Sequence, residues 1–192
     1  PSLEPIDKAS PDVMIPAFLA AYSGIDARKI GLSPFPGLES LLPNWRITYD
    51  GFMRIPAIKK YFKSFMLTHA YQCTYGVGSY SSFLNWIGVD GDFGFSYNEQ
   101  TGNPMPTSPF DISTVTITEK FAPLIGLSIT TKNNITGRVE YKDSRTLSLN
   151  ASSVQIVEST SQEVTVGASY KIANLKSILK IKGSQTGVNN DL

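Results

Sequence analysis

Two closely spaced carboxylates, Asp90 and Asp92, stand in an otherwise apolar segment. Such a pair could act as general acid and base, or could open a calcium-binding loop. The calcium loop is excluded because the further oxygen ligands and the closing Glu of that motif are missing. A hydrolytic pair needs a substrate cleft, whereas Asp and Gly residues in alternation are ordinary turn chemistry. We therefore interpret this segment as a turn or loop.

His69 and Cys73 are the single histidine and the single cysteine of the protein. No Cys, Asp or Glu lies near His69 at a metal-ligand spacing, and both residues fall on the apolar side of an alternating segment. We expect a hydrogen-bonded, buried or interfacial histidine and a small buried thiol. The run 76–78, Gly-Val-Gly, lies within a strand pattern and opens no helix, so it is not a nucleotide loop. Because no nucleophile, base and orienting group can be assembled, we expect no catalytic residues, no metal site, no cofactor and no enzyme.

The composition is that of a folded protein with few charges. The 192 residues include 17 Lys and Arg against 16 Asp and Glu, and only 17% are charged, compared with about 25% in ordinary soluble domains. The 41% of hydrophobic residues excludes a disordered protein. A net charge of +1 gives no reason to expect nucleic acid as a partner. No segment has the roughly 18 apolar residues of a membrane helix, and the opening residues do not resemble a signal peptide.

The N-terminal third, residues 1–64, is a mixed segment of short helices and Pro-rich loops. Ser10 followed by Pro11 and Asp12 is a typical helix start, since a hydroxyl can cap the helix and Pro fits its first position. The predicted elements are, in order, a helix over 12–22 that ends near Gly24, a loop at 33–37, a strand over 45–50 and a helix over 56–63.

Residues 65–192 form the second segment, in which apolar and polar residues alternate with a period of two. This is the pattern of half-buried antiparallel strands. Predicted strands cover 65–80, 115–118, 125–130, 135–142, 147–150 and 164–172. Turn signals occur at 132–134, 142–144 and 159–161. Val154 and Ile156 are out of phase with Leu147 and Leu149, and a bulge at 151–153 would explain the slip.

Alternation alone fits either a soluble β-sandwich, whose apolar face points inward, or a transmembrane barrel, whose apolar face meets lipid. Three features favour the barrel. The strand over 65–80 exceeds the usual five or six residues and suffices for a barrel span of roughly 9–11. Tyr and Phe recur on the apolar faces. The polar faces use Thr, Ser, Gln and Gly more than Lys and Glu. Composition and periodicity leave both architectures open.

Two groups of charged residues have both an ordinary and a specific interpretation. Arg138, Glu140 and Lys142 alternate along one strand face. They could form a solvated face with cross-strand pairs, or the wall of a channel in which mixed charge keeps a passing protein from sticking. Lys59, Lys60 and Lys63 are expected on the solvated side of a short helix, or in contact with an acidic partner or lipid head groups.

Several longer stretches carry a resemblance to a known family. They are DVMIPAFLAAYSG at 12–24, LPNWRITYDG at 42–51, LTHAY at 67–71, TY at 74–75, VGSY at 77–80, VTITEKFAPLIG at 115–126, VEYK at 139–142, SR at 144–145 and VGASYK at 166–171. In these stretches the sequence resembles the SprA/Sov family, the outer-membrane translocon proteins of the type IX secretion system. Residues 90–94 and 98–109 look least like the family.

The resemblance implies a mainly β fold, in which antiparallel strands form an arc of a large transmembrane β-barrel and the short helices are insertions. Both segments would be parts of one larger barrel. It implies a structural segment of a protein-conducting channel for type IX secretion and gliding motility, in the bacterial outer membrane at the cell surface. The implied partners are the remainder of the barrel, a PorV-like outer-membrane shuttle protein, a plug protein, secreted cargo proteins and membrane lipid, with no nucleic acid.

In that arrangement each strand face has a role. The lumen-facing residues would be Thr68, Gln72, Thr74, Thr130, Thr136, Arg138, Glu140, Lys142, Thr165, Ser169 and Lys171. The lipid- or partner-facing residues would be Leu67, Tyr71, Tyr75, Val77, Ile125, Leu127, Ile129, Val139, Tyr141, Val164, Val166 and Tyr170. The alternative is a surface-exposed β-sandwich that binds glycan or protein through the aromatic residues Trp45, Trp86 or Tyr97.

Overall fold

A computed structural model describes residues 6–26, 29, 43–91, 93–171, 175–176 and 189–190. The fold is mainly β, with antiparallel sheets, long strands and a short N-terminal helix. The helices are α1 (Pro11–Ser23), a 3₁₀ turn (Gly51–Arg54) and α2 (Pro56–Tyr61). The strands are β1 (Trp45–Tyr49), β2 (Phe62–Ser82), β3 (Ile87–Asp90), β4 (Phe93–Tyr97), β5 (Pro104–Thr107), β6 (Phe110–Thr131), β7 (Ile135–Asn150), β8 (Gln155–Tyr170), β9 (Leu175–Lys176) and β10 (Asn189–Asn190).

The main sheet has five strands in the order β1-β2-β6-β7-β8. β1 pairs antiparallel with β2, with Trp45 opposite Tyr71 and Tyr49 opposite Leu67. β3, β4 and β5 form a separate three-stranded antiparallel sheet, inserted in the sequence between β2 and β6. β9 and β10 pair antiparallel in a third, two-stranded sheet.

The strands of the main sheet are longer than the sequence pattern indicated. β2 and β6 have 21 and 22 residues, and β7 and β8 have 16 each. The predicted strands 115–118 and 125–130 are both parts of β6, and 135–142 and 147–150 are both parts of β7. Interstrand pairing therefore continues through polar residues that the local pattern treats as breaks, because a ladder hydrogen bond outweighs a weak turn preference.

One of the three predicted turns is confirmed and two are wrong. Residues 132–134 connect β6 to β7, and Asn134 has a positive φ of 61°. Residues 142–144 lie inside β7 and residues 159–161 inside β8. Ser144 and Ser161 lie on neighbouring strands, where the Ser144 hydroxyl donates to the Ser161 carbonyl at 3.5 Å. The sheet accommodates Ser144 because its side chain bonds to the backbone of the neighbouring strand.

The predicted bulge at 151–153 is also wrong, because these residues belong to the turn between β7 and β8. The Asn150 side chain accepts a hydrogen bond from the Ser153 amide at 3.0 Å, and Val154 has a positive φ of 54°. The phase slip between Leu149 and Val154 thus marks a change of strand, which the alternation alone could not distinguish from a bulge.

The predicted N-terminal helix is confirmed. The Ser10 hydroxyl accepts from the Asp12 amide at 3.3 Å, and Gly24 ends the helix with a φ of 68°, a conformation that suits glycine. The second helix is shorter than predicted, since Phe62 and Lys63 already belong to β2. The predicted loop at 33–37 lies outside the described residues.

The protein divides into two compact units, each of which draws on residues from both sequence segments. Unit 1 comprises Pro1–Asn44, Gln72–Lys120 and Ser144–Ser161. Its buried hydrophobic residues come from α1, from β2, β6 and β7, and from the turn after β7: Ile15, Phe18, Leu19, Ala20, Cys73, Ile112, Val115, Ile117, Leu149 and Ala151. Unit 2 comprises Trp45–Tyr71, Phe121–Asp143 and Gln162–Leu192. Tyr71 and Pro123 are its buried apolar side chains among the described residues.

Candidate functional site

The polar face of the sheet in unit 1 is lined by hydroxyl pairs that join neighbouring strands. Thr116 and Ser148 lie with their side-chain oxygens 3.3 Å apart, and Thr118 and Thr146 lie 3.4 Å apart. On β2, the predicted polar residues Gln72 and Thr74 are exposed. This face therefore presents neutral hydrogen-bonding groups that satisfy one another across the strands.

The polar face of unit 2 carries ion pairs as well as hydroxyls. Arg138 Nε donates to Glu140 Oε1 at 2.9 Å, and Lys142 Nζ lies 3.1 Å from Glu163 Oε1. Glu163 also accepts from the Thr165 hydroxyl at 2.7 Å. The structure thus brings together several residues that the sequence placed on one polar face. Positive and negative groups are interleaved there, so the face is well hydrated without a large field of one sign.

Other predicted polar residues lie on the same strands. Thr130 and Thr136 have their hydroxyls 3.3 Å apart across β6 and β7. Thr68 is half-buried, and Ser169 and Lys171 are exposed at the end of β8.

The opposite face of unit 2 exposes apolar side chains. Val139, on β7, has 44% of its surface exposed, and Val166, on β8, has 71%. The exposed apolar residues of this unit that lie at odd-numbered positions of β1, β6 and β7 or at even-numbered positions of β8 are Trp45, Ile47, Tyr49, Ile125, Ile135, Val139, Val164, Val166 and Tyr170. Leu67, Leu127, Ile129 and Tyr141 are half-buried. Soluble monomers rarely expose apolar side chains contiguously over so many neighbouring strands.

The apolar face of the sheet in unit 1 is covered by α1, which the sequence did not indicate. The Tyr22 hydroxyl of α1 donates to Glu119 Oε1 at 2.9 Å and lies 3.5 Å from Cys73 Sγ. Arg145 Nη1 lies 3.8 Å from Glu119 Oε2. The predicted buried thiol at Cys73 is confirmed. Tyr75 and Val77, which the sequence assigned to lipid or a partner, are half-buried in this unit.

An aromatic cluster in unit 2 encloses two residues that the sequence singled out. The Tyr71 ring lies 4.4 Å from that of Trp45 and 4.9 Å from that of Phe121. Although the sequence placed Tyr71 with the lipid- or partner-facing residues, its side chain is only 3% exposed. His69 is half-buried and its Nδ1 lies 2.7 Å from the Leu124 carbonyl oxygen, which confirms a hydrogen-bonded histidine. In the sequence, this cluster was indicated by aromatic residues that recur on one face of the alternating strand pattern.

Trp45, Trp86 and Tyr97, the aromatic residues of the β-sandwich alternative, are not equally available to bind a glycan or protein. Trp86 donates from Nε1 to the Thr107 carbonyl at 2.9 Å, and its ring lies against Gly88 and Gly94 in unit 1. A Cβ at Gly94 would clash with the Ile87 carbonyl oxygen and would lie 2.6 Å from the indole, so glycine is required for this close approach. Trp45 stacks on Tyr71, and Tyr97 is exposed.

The candidate chemical groups remain scattered among the described residues. Asp90 ends β3 beside Gly91, whose φ is 54°, as expected for a turn, and Asp92 lies outside the described residues. Gly76 and Gly78 lie inside β2. In the described part of the protein, no group of three or more His, Cys, Asp or Glu residues could hold a metal ion. No described helix is long and apolar enough to cross a membrane.

The three lysines at 59, 60 and 63 are exposed. Lys60 Nζ lies 5.6 Å from the centre of the Tyr61 ring, and Lys63 donates to the Asn134 side chain. Their local contacts are those of a solvated surface.

No protein-family model and no curated protein matches this sequence. The resemblance to the SprA/Sov family therefore stays a prediction from the quoted motifs. Any function assigned to this protein must account for a sheet of long strands that is polar on one face. In unit 2 the other face of this sheet is apolar and exposed.

Proposed function

We propose that this protein is a wall segment of a protein-conducting β-barrel of the bacterial outer membrane, of the SprA/Sov type. In this role it serves type IX secretion and gliding motility, and it does no covalent chemistry. The Thr- and charge-bearing face lines the aqueous lumen, and the exposed apolar face meets lipid or a membrane partner. The short helices are insertions beside an arc of the barrel.

The observation that carries this proposal is the contrast between the two faces of unit 2. One face exposes Val139, Val164 and Val166, while the other carries the Lys142–Glu163 ion pair. From Val164 to Tyr170 the strand rises about 20 Å at roughly 3.3 Å per residue. At the tilt of about 35–45° that barrel strands have, this run spans about 15 Å of the apolar band of about 25 Å on outer-membrane barrels. Lipid would cover these apolar side chains. Leaving them exposed to water would cost about 25 cal/mol per Å² of apolar surface.

Strand length and the sheet edges add support. β2, β6, β7 and β8 all exceed the 9–11 residues of a barrel span, at 16 to 22 residues. β8 ends the main sheet and is exposed along all of its residues. A membrane sheet requires closure, because unpaired backbone groups are costly in lipid. We assign the edge of β8 that has no described strand beside it to pairing with a further strand of the same barrel.

The proposed partners are the remainder of the barrel, lipid, secreted cargo, a PorV-like shuttle protein and a plug protein. A surface with interleaved charges would hold cargo only weakly, because each exposed ion pair contributes at most about 1 kcal/mol. Cargo could then leave the lumen after entering it.

The test uses two neighbouring residues of β8 that point to opposite faces. Val166 and Thr165 are both exposed, so a label at either position should not disturb packing. In the complete outer-membrane protein to which the proposal assigns this segment, Cys73 is first replaced by Ser. Single cysteines at 166 and at 165 then carry a polarity-sensitive fluorophore in bilayers that contain brominated lipid.

We expect strong quenching at position 166 and little at position 165, because successive strand residues face opposite sides. The matched sites share their strand, depth and exposure, so a difference reports the face alone. Equal quenching at both positions, or none at position 166, would contradict the assignment of this face to lipid.

A further inference from the structure

A polar depression on the surface of unit 2 has the chemistry of a carboxylate site. Its volume is about 140 Å³. Four adjacent strands line it with Arg46, Met66, Thr68, Gly126, Leu127, Ser128, Arg138 and Glu140. One water needs about 10–15 Å³ by this measure of volume, so the depression has room for the five heavy atoms of a glutamate side chain beyond its Cα.

The charges around the depression sum to +1, since two arginines face one glutamate. Glu140 is already engaged, because it accepts from Arg138 Nε at 2.9 Å and has Lys142 Nζ 4.0 Å from its other oxygen. The Arg46 guanidinium makes no hydrogen bond or ion pair with any described residue, although its backbone pairs with β2. A guanidinium offers a planar fork of donors that matches the two oxygens of a carboxylate. The surplus positive charge is therefore on the residue that is free to bind.

The remaining lining suits the rest of an acidic side chain. The hydroxyls of Thr68 and Ser128 make no side-chain hydrogen bond with the described residues and can donate to a second anionic oxygen. Thr68 pairs with Thr48 on β1, and Arg46 lies two residues before Thr48. Since side chains two residues apart on a strand share a face, Thr68 and Arg46 point to the same face of the sheet. Met66, which has the same parity on β2 as Thr68, supplies apolar surface for methylene groups.

We propose that this depression, the Arg46 site, binds a carboxylate of a polypeptide, either an Asp or Glu side chain or the free carboxylate at a C-terminus. The Arg46 guanidinium makes the principal contact, Arg138 adds positive charge, and Glu140 keeps Arg138 in place. The site stands independently of the channel proposal, because it requires only the unit 2 sheet.

The test uses the 192-residue protein in neutral detergent and follows the Nε–H signals of its five arginines by NMR. Four probes are titrated: blocked Gly-Glu-Gly, blocked Gly-Gln-Gly, Gly-Gln-Gly with a free C-terminus, and inorganic phosphate. We expect the Glu peptide to shift the Arg46 and Arg138 signals with a dissociation constant of order 1–10 mM. The blocked Gln peptide should give no saturable shift. The free C-terminus separates the two carboxylate sources, and saturable binding of either one supports the site.

Arg46→Gln should weaken carboxylate binding at least ~10-fold, because one charge-assisted pair is lost. Arg54→Gln is the matched control, since Arg54 is an exposed arginine of unit 2 that does not line the depression. Arg46→Lys should recover only part of the affinity, because an ammonium lacks the fork geometry. Equal binding by Arg46→Gln and wild type, equal shifts by the blocked Glu and Gln peptides, or tighter binding of phosphate than of either carboxylate would overturn the proposal.

Discussion

Cys73 offers a direct test of how α1 is held on the sheet of unit 1. Its thiol is 8% exposed, and Leu19 of α1 is 1% exposed. If α1 must undock before a reagent reaches the thiol, then Leu19→Ala should accelerate the reaction of Cys73 with a maleimide. Val13→Ala is the matched control, because Val13 lies on the same helix but is 39% exposed.

The expected size of the effect follows from burial. A buried Leu→Ala change costs about 2–5 kcal/mol from lost apolar transfer and the cavity left behind. If this cost falls on the docked state, the open population rises at least ~30-fold, since about 1.4 kcal/mol corresponds to tenfold. Val13→Ala removes two partly exposed methyl groups at roughly 0.8 kcal/mol each when fully buried. It regains about 0.5 kcal/mol of helix propensity, so its change should stay within ~3-fold.

The assay measures the labelling rate in neutral detergent at several reagent concentrations. A rate proportional to reagent concentration shows that opening and closing are fast relative to labelling, so the rate reports the open population. Tryptophan fluorescence of both variants confirms that the sheets remain folded. If Leu19→Ala and Val13→Ala label at the same rate, undocking of α1 does not control access to Cys73.

Two further predictions concern unit 1. Tyr22→Phe should accelerate Cys73 labelling about 5-fold, because it deletes the 2.9 Å hydrogen bond to the largely buried Glu119 carboxylate, which contributes about 1 kcal/mol; an unchanged rate would mean that this bond does not hold α1. Gly94→Ala should lower the free energy of unfolding by about 1–3 kcal/mol, since its Cβ would clash with the Ile87 carbonyl oxygen and would lie 2.6 Å from the Trp86 indole. Gly76→Ala, whose nearest neighbour would be the Thr116 carbonyl oxygen at 4.0 Å, should change the urea midpoint little; equal effects of the two substitutions would argue against the close packing around Gly94.

The elements of the fold that depend on neighbouring residues were predictable from the sequence. Ser10 and Gly24 mark the ends of α1 because capping is a local interaction. The two-residue period identified the strands and separated polar from apolar faces, since successive strand side chains alternate by geometry. The hydrogen-bonded histidine and the buried thiol followed from the same parity.

The extent and partners of those strands were decided by the tertiary structure. Residues 142–144 and 159–161 have turn propensity, yet both lie within strands because neighbouring strands bond to them. The sequence contained the residues of the Arg46 site on four separate strands, and only the strand order β1-β2-β6-β7 brought Arg46 and Arg138 to one depression.

Only the tertiary structure showed that the apolar face of the sheet is covered in unit 1 and exposed in unit 2. Val115 and Val166 both belong to alternating strands of Val and Thr, and the sequence treats them alike. In the structure Val115 is buried in the unit that contains α1, whereas Val166 remains exposed. The sequence determined which residues alternate, because alternation is a property of each strand. Whether an apolar face is covered depends on which distant element packs against it, and that contact was settled only by the folded protein.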